Sequence, residues 1–401
     1  MGRKIVGFIL IGILLTLLGG CTNNSRVQIE EEKMQTFNES ETNKMILGNK
    51  RVQSKSREVS EEEKREMKIR KYMEEMTVEE KIGQLFFVTV QQAKEGVAIR
   101  DKVGGIVLFK QDITTKEETI ALIENLQTTA AIPLWIGIDE EGGRVSRLGN
   151  NKEIVDVPFV SAKEIGKSKD VNKAYNEAKR MGKVLSSLGI NMDFAPVADI
   201  FNNPLNTVIG DRSFGTKKEE VVPMVIAFAK GLKEEKVEPV IKHFPGHGNT
   251  SEDSHRGLAY ANKSIKELEK EELVPFFEAV DKGIDIVMVG HIVVPEMDEL
   301  PATLSAKWGE YIRQKFNKRE VIFITDAMNM GAIVESGEGK KVILDSFLSG
   351  MDVILMPEQL DEAVEYFKEA HETGVLTDKR LNESVEKILL KKAEQNLLVL
   401  E

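Results

Sequence analysis

EPVIKHFPGHGNTSEDSH, residues 238 to 255, gathers three of the chain's five histidines into one stretch. Glu238 to Lys242 reads as a short buried strand with its charge at the C-terminal end, where an α/β protein keeps its site. Pro245, Gly246 and Gly248 cannot continue regular structure, so His247 to His255 is a loop. On such a loop Asp253 can orient the His255 ring and carry it over a bound substrate. His243 and His247 also have the spacing of a helical zinc pair, with Asp253 and His255 as further ligands. The Pro-Gly between them forbids the helix that would put both rings on one face.

Eight short runs, mostly continuous apolar stretches rich in Ile and Val, fall at residues 86–90, 105–109, 134–139, 191–197, 239–243, 286–291, 321–326 and 352–356. Such runs mark strands buried on both faces, and most are followed by a helical pattern, as at 116–129, 171–188, 221–235 and 264–282. Eight β/α units in roughly 320 residues predict an α/β protein of the TIM-type (β/α)8 barrel class, a single catalytic domain over residues 62–401. A doubly wound open sheet is the alternative. Closure is favoured because Asp139, His243, His291 and Asp326 each end a strand, which a barrel brings to one mouth. A helix is expected from about Glu62 to Glu75, and Thr77 with Glu80 forms a capping box that opens another.

The N-terminus is a processing signal over residues 1–21: Arg3 and Lys4, an apolar run from Ile5 to Leu18, then Gly-Gly-Cys21. The run is shorter than the roughly 18 residues of a spanning helix. Its end, LGGC, resembles a bacterial lipoprotein box, with Cys21 the lipidated residue and the domain outside the cytoplasm. Residues 22–61 are polar and aperiodic and read as a flexible tether. Without Arg3 and Lys4 the net charge moves from −11 to −13, which argues against a nucleic-acid partner. Cys21 is the only cysteine, so no internal disulfide can form.

Three further stretches carry chemistry. DEEGGRVSR, from Asp139 to Arg147, sets a carboxylate and two guanidiniums around a tight turn, able to grip a polyhydroxylated ligand through paired hydrogen bonds. NTVIGDRSFG, from Asn206 to Gly215, offers an Asp211–Arg212 pair. ITDAMNMG, from Ile324 to Gly331, ends a strand in Asp326, a carboxylate able to act as nucleophile or merely to cap the following helix.

With MTVEEKIGQLF, these motifs appear in the order of glycoside hydrolase family three, and the chain from about Met73 to Leu398 resembles its β-N-acetylhexosaminidase branch. The resemblance implies Asp326 as nucleophile, His255 as general acid/base and Asp253 as the residue that orients and charges it. It implies Asp139, Arg147, Arg212, Lys242 and His243 as the residues that hold a terminal N-acetylglucosamine. The implied reaction is retaining, exo-acting hydrolysis without metal or organic cofactor. From the expected location, the substrate would be cell-wall muropeptides, the partner a membrane reached through the lipid anchor, and the protein a monomer. Other exo-β-glycosidases, a phosphorolytic relative and a lipid-anchored sugar-binding protein are the alternatives. Two departures stand out. Many relatives add a second α/β domain after the barrel, which is not expected here with Glu401 as the last residue, and Ala327-Met328 after the expected nucleophile varies among relatives.

Overall fold

A computed structural model describes residues 60–95, 102–149, 151–250, 257–317, 320–330 and 339–400. The expected signal peptide, Cys21, the tether, Asp253 and His255 lie outside the described residues. The first helix runs Glu61–Glu75, one residue earlier than the sequence suggests, because Ser60 and Glu63 close a capping box around its start. The Thr77–Glu80 box opens the next helix, Val78–Gln84, as expected.

The strands are Phe86–Thr89 (β1), Gly105–Leu108 (β2), Trp135–Ile138 (β3), Met192–Asp193 (β4), Glu238–Pro239 (β5), Ile241–Phe244 (β6), Ala259–Tyr260 (β7), Ile286–Val289 (β8), Ile292–Val293 (β9), Ile322–Thr325 (β10) and Ile354–Leu355 (β11). Each of the eight expected runs contains a strand, the fifth divided into β5 and β6. β7 and β9, which form a small parallel pair of their own, were not foreseen as separate strands.

One parallel sheet has the order β11-β1-β2-β3-β4-β5 and a second the order β10-β8-β6. Within these two sheets a helix separates each strand from the next, except between β5 and β6, which a single residue divides. This is a TIM-barrel-like α/β fold. The sheets meet through single parallel bridges, Val197 with Lys242 on one side and Ile324 with Val353 on the other. Phe87 and Phe194 fill the space between the strands edge to face, 5.5 Å apart. Gly105 and Gly137 make room for them, since a Cβ on either would lie within 2.8 Å of a ring carbon.

The helices at Lys116–Thr129 and Val171–Leu188 match the expected ranges. The helix expected at 221–235 starts earlier and runs Lys218–Glu234, with Pro223 inside it. The single helix expected over 264–282 is two, Ile265–Leu268 and Val274–Asp281. Pro275 is the reason: it has no N–H for an interior hydrogen bond but suits the first turn of a new helix.

Candidate active site

The cluster is built on strand ends. β6 supplies Lys242 and His243, Asp139 follows β3, and Asp326 follows β10. Lys242 is buried and its Nζ lies 2.7 Å from Asp139 Oδ1 and 2.6 Å from Glu141 Oε1. Asp139 Oδ2 accepts from Arg147 Nη2 at 3.1 Å. Glu141 is bidentate with Arg212, at 2.7 Å to Nε and 2.8 Å to Nη2. Arg212 Nη2 also faces His243 Nε2 at 3.3 Å. The five residues that the resemblance assigned to sugar binding therefore meet in one hydrogen-bonded cluster, with Glu141 as its hub.

The charges hold one another in place. Burial would push the Glu141 and Asp139 carboxyls up, yet Arg212 and Lys242 hold Glu141, and Lys242 and Arg147 hold Asp139, below the ordinary range. Burial would likewise lower Lys242, but the two carboxylates raise it. Two anions and three cations so arranged offer paired donors and acceptors to a hydroxylated ligand.

The turn that delivers Arg147 is folded by Glu140. Its Oε2 accepts from the amides of Arg147 and Leu148, both at 2.9 Å, while its own amide donates to buried Asp193 Oδ1 at 2.9 Å. Gly142 and Gly143 turn with φ of 77° and 61°. A Cβ at Gly142 would lie 2.4 Å from the Val160 carbonyl, so glycine is required there. Burial lifts Glu140 to about 7 and Asp193 well above the usual range.

The expected Asp211–Arg212 pair does not form. Asp211 binds Arg144 Nε at 2.8 Å, and Arg144 also donates to the carbonyls of Thr207, Val208 and Ile209. Adjacent residues on a 3-10 turn diverge, so Arg212 turns inward to Glu141 while Asp211 turns outward. Arg144 therefore holds a loop, and the guanidiniums that join the cluster are those of Arg147 and Arg212.

Two residues outside the assigned set belong to the site. Asp199, fully buried after β4, accepts from the His243 amide at 3.2 Å, from His243 Nδ1 at 2.7 Å and from the His247 amide at 2.6 Å. His291 bonds Thr303 Oγ1 through Nδ1 at 2.8 Å and the Ala327 carbonyl through Nε2 at 3.0 Å. His291 was legible as a polar residue at a strand end; Asp199 gave no motif, only its place beyond the 191–197 run. Both His243 ring nitrogens are engaged, and among the described residues no group of three His, Cys, Asp or Glu side chains is arranged to hold a metal ion.

Asp326 is half-buried. Burial favours its neutral form, but His243 and His291 and the Ala327 amide, which donates to Oδ1 at 2.8 Å, bring the carboxyl below its ordinary value. An ionised carboxylate at a strand end, beside a rigid cluster of matched charges, is the equipment of an enzyme that works on sugars.

The fold and site thus define a glycoside hydrolase with a TIM-barrel-like catalytic domain. The model of the glycosyl hydrolase family 3 N-terminal domain matches residues 77–390. The chain is 32% identical over 320 residues to the β-hexosaminidase LpqI of Mycobacterium tuberculosis, spanning 77% of this chain and 81% of that protein. Among solved structures it resembles a family 3 β-N-acetylglucosaminidase from Paenibacillus sp. FPU-7, with a TM-score of 0.76 and 33% identity, covering 81% of this chain and 65% of that one. It also resembles a family 3 member from Mycobacterium smegmatis, with a TM-score of 0.71 and 31% identity over 78% and 96% of the two chains. The chain belongs to glycosyl hydrolase family 3.

Proposed function

We propose that the protein is a retaining, exo-acting β-N-acetylglucosaminidase that removes terminal β-linked N-acetylglucosamine from peptidoglycan fragments. The observation that carries this is the buried Asp139–Lys242–Glu141–Arg212–His243 cluster next to Asp326. The cluster offers paired donors and acceptors, which suit the hydroxyls of a sugar. The names of the relatives support the choice of an N-acetylated hexosamine.

In this reading Asp326 attacks the anomeric carbon as the glycosidic bond breaks, and His255 gives its proton to the leaving oxygen. Water then attacks the glycosyl-enzyme, loses its proton to His255 and frees Asp326. Asp253 favours the protonated imidazole. No step uses a cofactor. Closure of the strands into a (β/α)8 barrel belongs to the same reading, supported by the parallel bridges that link the two sheets at both edges. So do lipidation at Cys21 and work outside the cytoplasm as a monomer, supported by the apolar run that ends in LGGC.

The test is turnover of chromogenic β-N-acetylglucosaminide and β-glucoside, with and without phosphate, and the anomer released read by NMR. Phosphate-independent release of the β-anomer of N-acetylglucosamine is expected. Preference for the glucoside, an α-anomer product or a requirement for phosphate would overturn this assignment, and no turnover of any glycoside would leave a sugar-binding protein.

A further inference from the structure

We propose that Asp199 is a positioning residue that fixes His243 in the tautomer with its proton on Nδ1, so that Nε2 faces the sugar site as a hydrogen-bond acceptor. Two contacts on opposite sides of the ring lead to the same assignment. On one side, Asp199 Oδ2 lies 2.7 Å from Nδ1. A carboxylate can only accept, so Nδ1 must donate. Two backbone amides, of His243 and His247, also donate to Asp199 and favour its carboxylate form. On the other side, Arg212 Nη2 lies 3.3 Å from Nε2. A guanidinium has no acceptor, so the contact is favourable only if Nε2 presents its lone pair.

The backbone prevents the ring from finding another partner. Asp199 also accepts the amides of His243 and His247, at 3.2 and 2.6 Å, so one carboxylate fixes the chain at both residues as well as the ring between them. His247 in turn bonds Thr250 Oγ1 at 2.7 Å through Nδ1.

The consequence is chemical. Arg147, Lys242 and Arg212 all present donors to the site. A sugar hydroxyl can donate one hydrogen bond while accepting another, so a hydroxyl that displaced the direct Arg212–His243 contact, donating to Nε2 and accepting from Arg212, would satisfy both at once. With the proton on Nε2 instead, a donor would face a donor, and the site would lose a neutral acceptor that holds a hydroxyl without adding charge.

The inference rests on reading the cluster as the sugar-binding site, and its test separates the two. Full-length protein labelled with 15N-histidine gives long-range proton–nitrogen correlations that identify the tautomer directly, with His243 assigned by its loss in His243→Ala. A protonated Nδ1 and a bare Nε2 are expected, and the reverse overturns the proposal whatever the kinetics of the variants. Asp199→Asn turns an amide N–H toward Nδ1 and should move the proton to Nε2, lowering kcat/KM on the order of 10²-fold. In a His243→Ala background the same substitution should cost less than about threefold, since there is no ring left to orient. Equal losses in both backgrounds would show that Asp199 does not act through His243. Unchanged KM and kcat in His243→Ala would sink the site reading and this assignment together.

Discussion

Lys392 is fully buried. Its Nζ donates to Gln84 Oε1 at 2.8 Å and lies 5.3 Å from the centre of the Trp135 ring, and among the described residues no carboxylate pairs with it. Burial pushes this ammonium down to about 7, against roughly 10.4 for an unfolded lysine. A base whose folded pKa is depressed binds fewer protons folded than unfolded between those two values. Stability therefore rises with pH across that window, by about 1.4 kcal/mol per unit, and the full cost stands below pH 7. The cost there is roughly 4–5 kcal/mol, about 3 at pH 8 and near zero by pH 10. Lys392→Met removes it but gives up the Gln84 hydrogen bond, worth about 1–2 kcal/mol. Net stabilisation of roughly 2–3 kcal/mol is expected at pH 6.5, shrinking to nothing or reversing above pH 9. Urea unfolding of both proteins at five pH values between 6 and 10 measures the difference. A difference that does not vary with pH, or a mutant less stable at pH 6.5, would refute the reasoning.

Arg212→Lys keeps the charge but loses the bidentate grip on Glu141, so kcat/KM should fall at least about tenfold, mainly through KM, in steady-state kinetics. His255→Ala should lose roughly 10²- to 10⁴-fold on an N-acetylglucosaminyl disaccharide, whose leaving group needs a proton. It should keep its first-step rate on a dinitrophenyl glycoside, with a burst and release by azide; equal losses on both substrates would refute the acid/base role. Gly309→Ala should destabilise by several kcal/mol in the same urea assay, because its Cβ would stand 1.6 Å from the Ser349 carbonyl.

The strand runs and the polar residues that end them were legible because two-face burial demands continuous apolar stretches, and a functional group at a strand end interrupts them visibly. Asp139, Lys242, His243 and Asp326 were all found this way. Partners set by tertiary geometry were not legible. Asp211 and Arg212 look like a pair in the sequence, yet neighbouring side chains on a tight turn diverge and bind different residues. Asp199 is an aspartate in an otherwise apolar context, and only the close approach of β6 to the segment after β4 gives it His243. The break between the helices at 265–268 and 274–281 could have been read from Pro275, a signal overridden by the amphipathic pattern around it.

The central claim is that Asp326 forms a covalent bond to the sugar. The direct measurement is peptide mapping by mass spectrometry after reaction with an activated fluorinated N-acetylglucosaminyl donor, whose fluorine slows both steps while its good leaving group restores the first. One sugar residue added to the peptide that contains Asp326, absent from Asp326→Ala, is the predicted result. Continued turnover of the donor with no adduct, or an adduct on a different residue, would contradict the account.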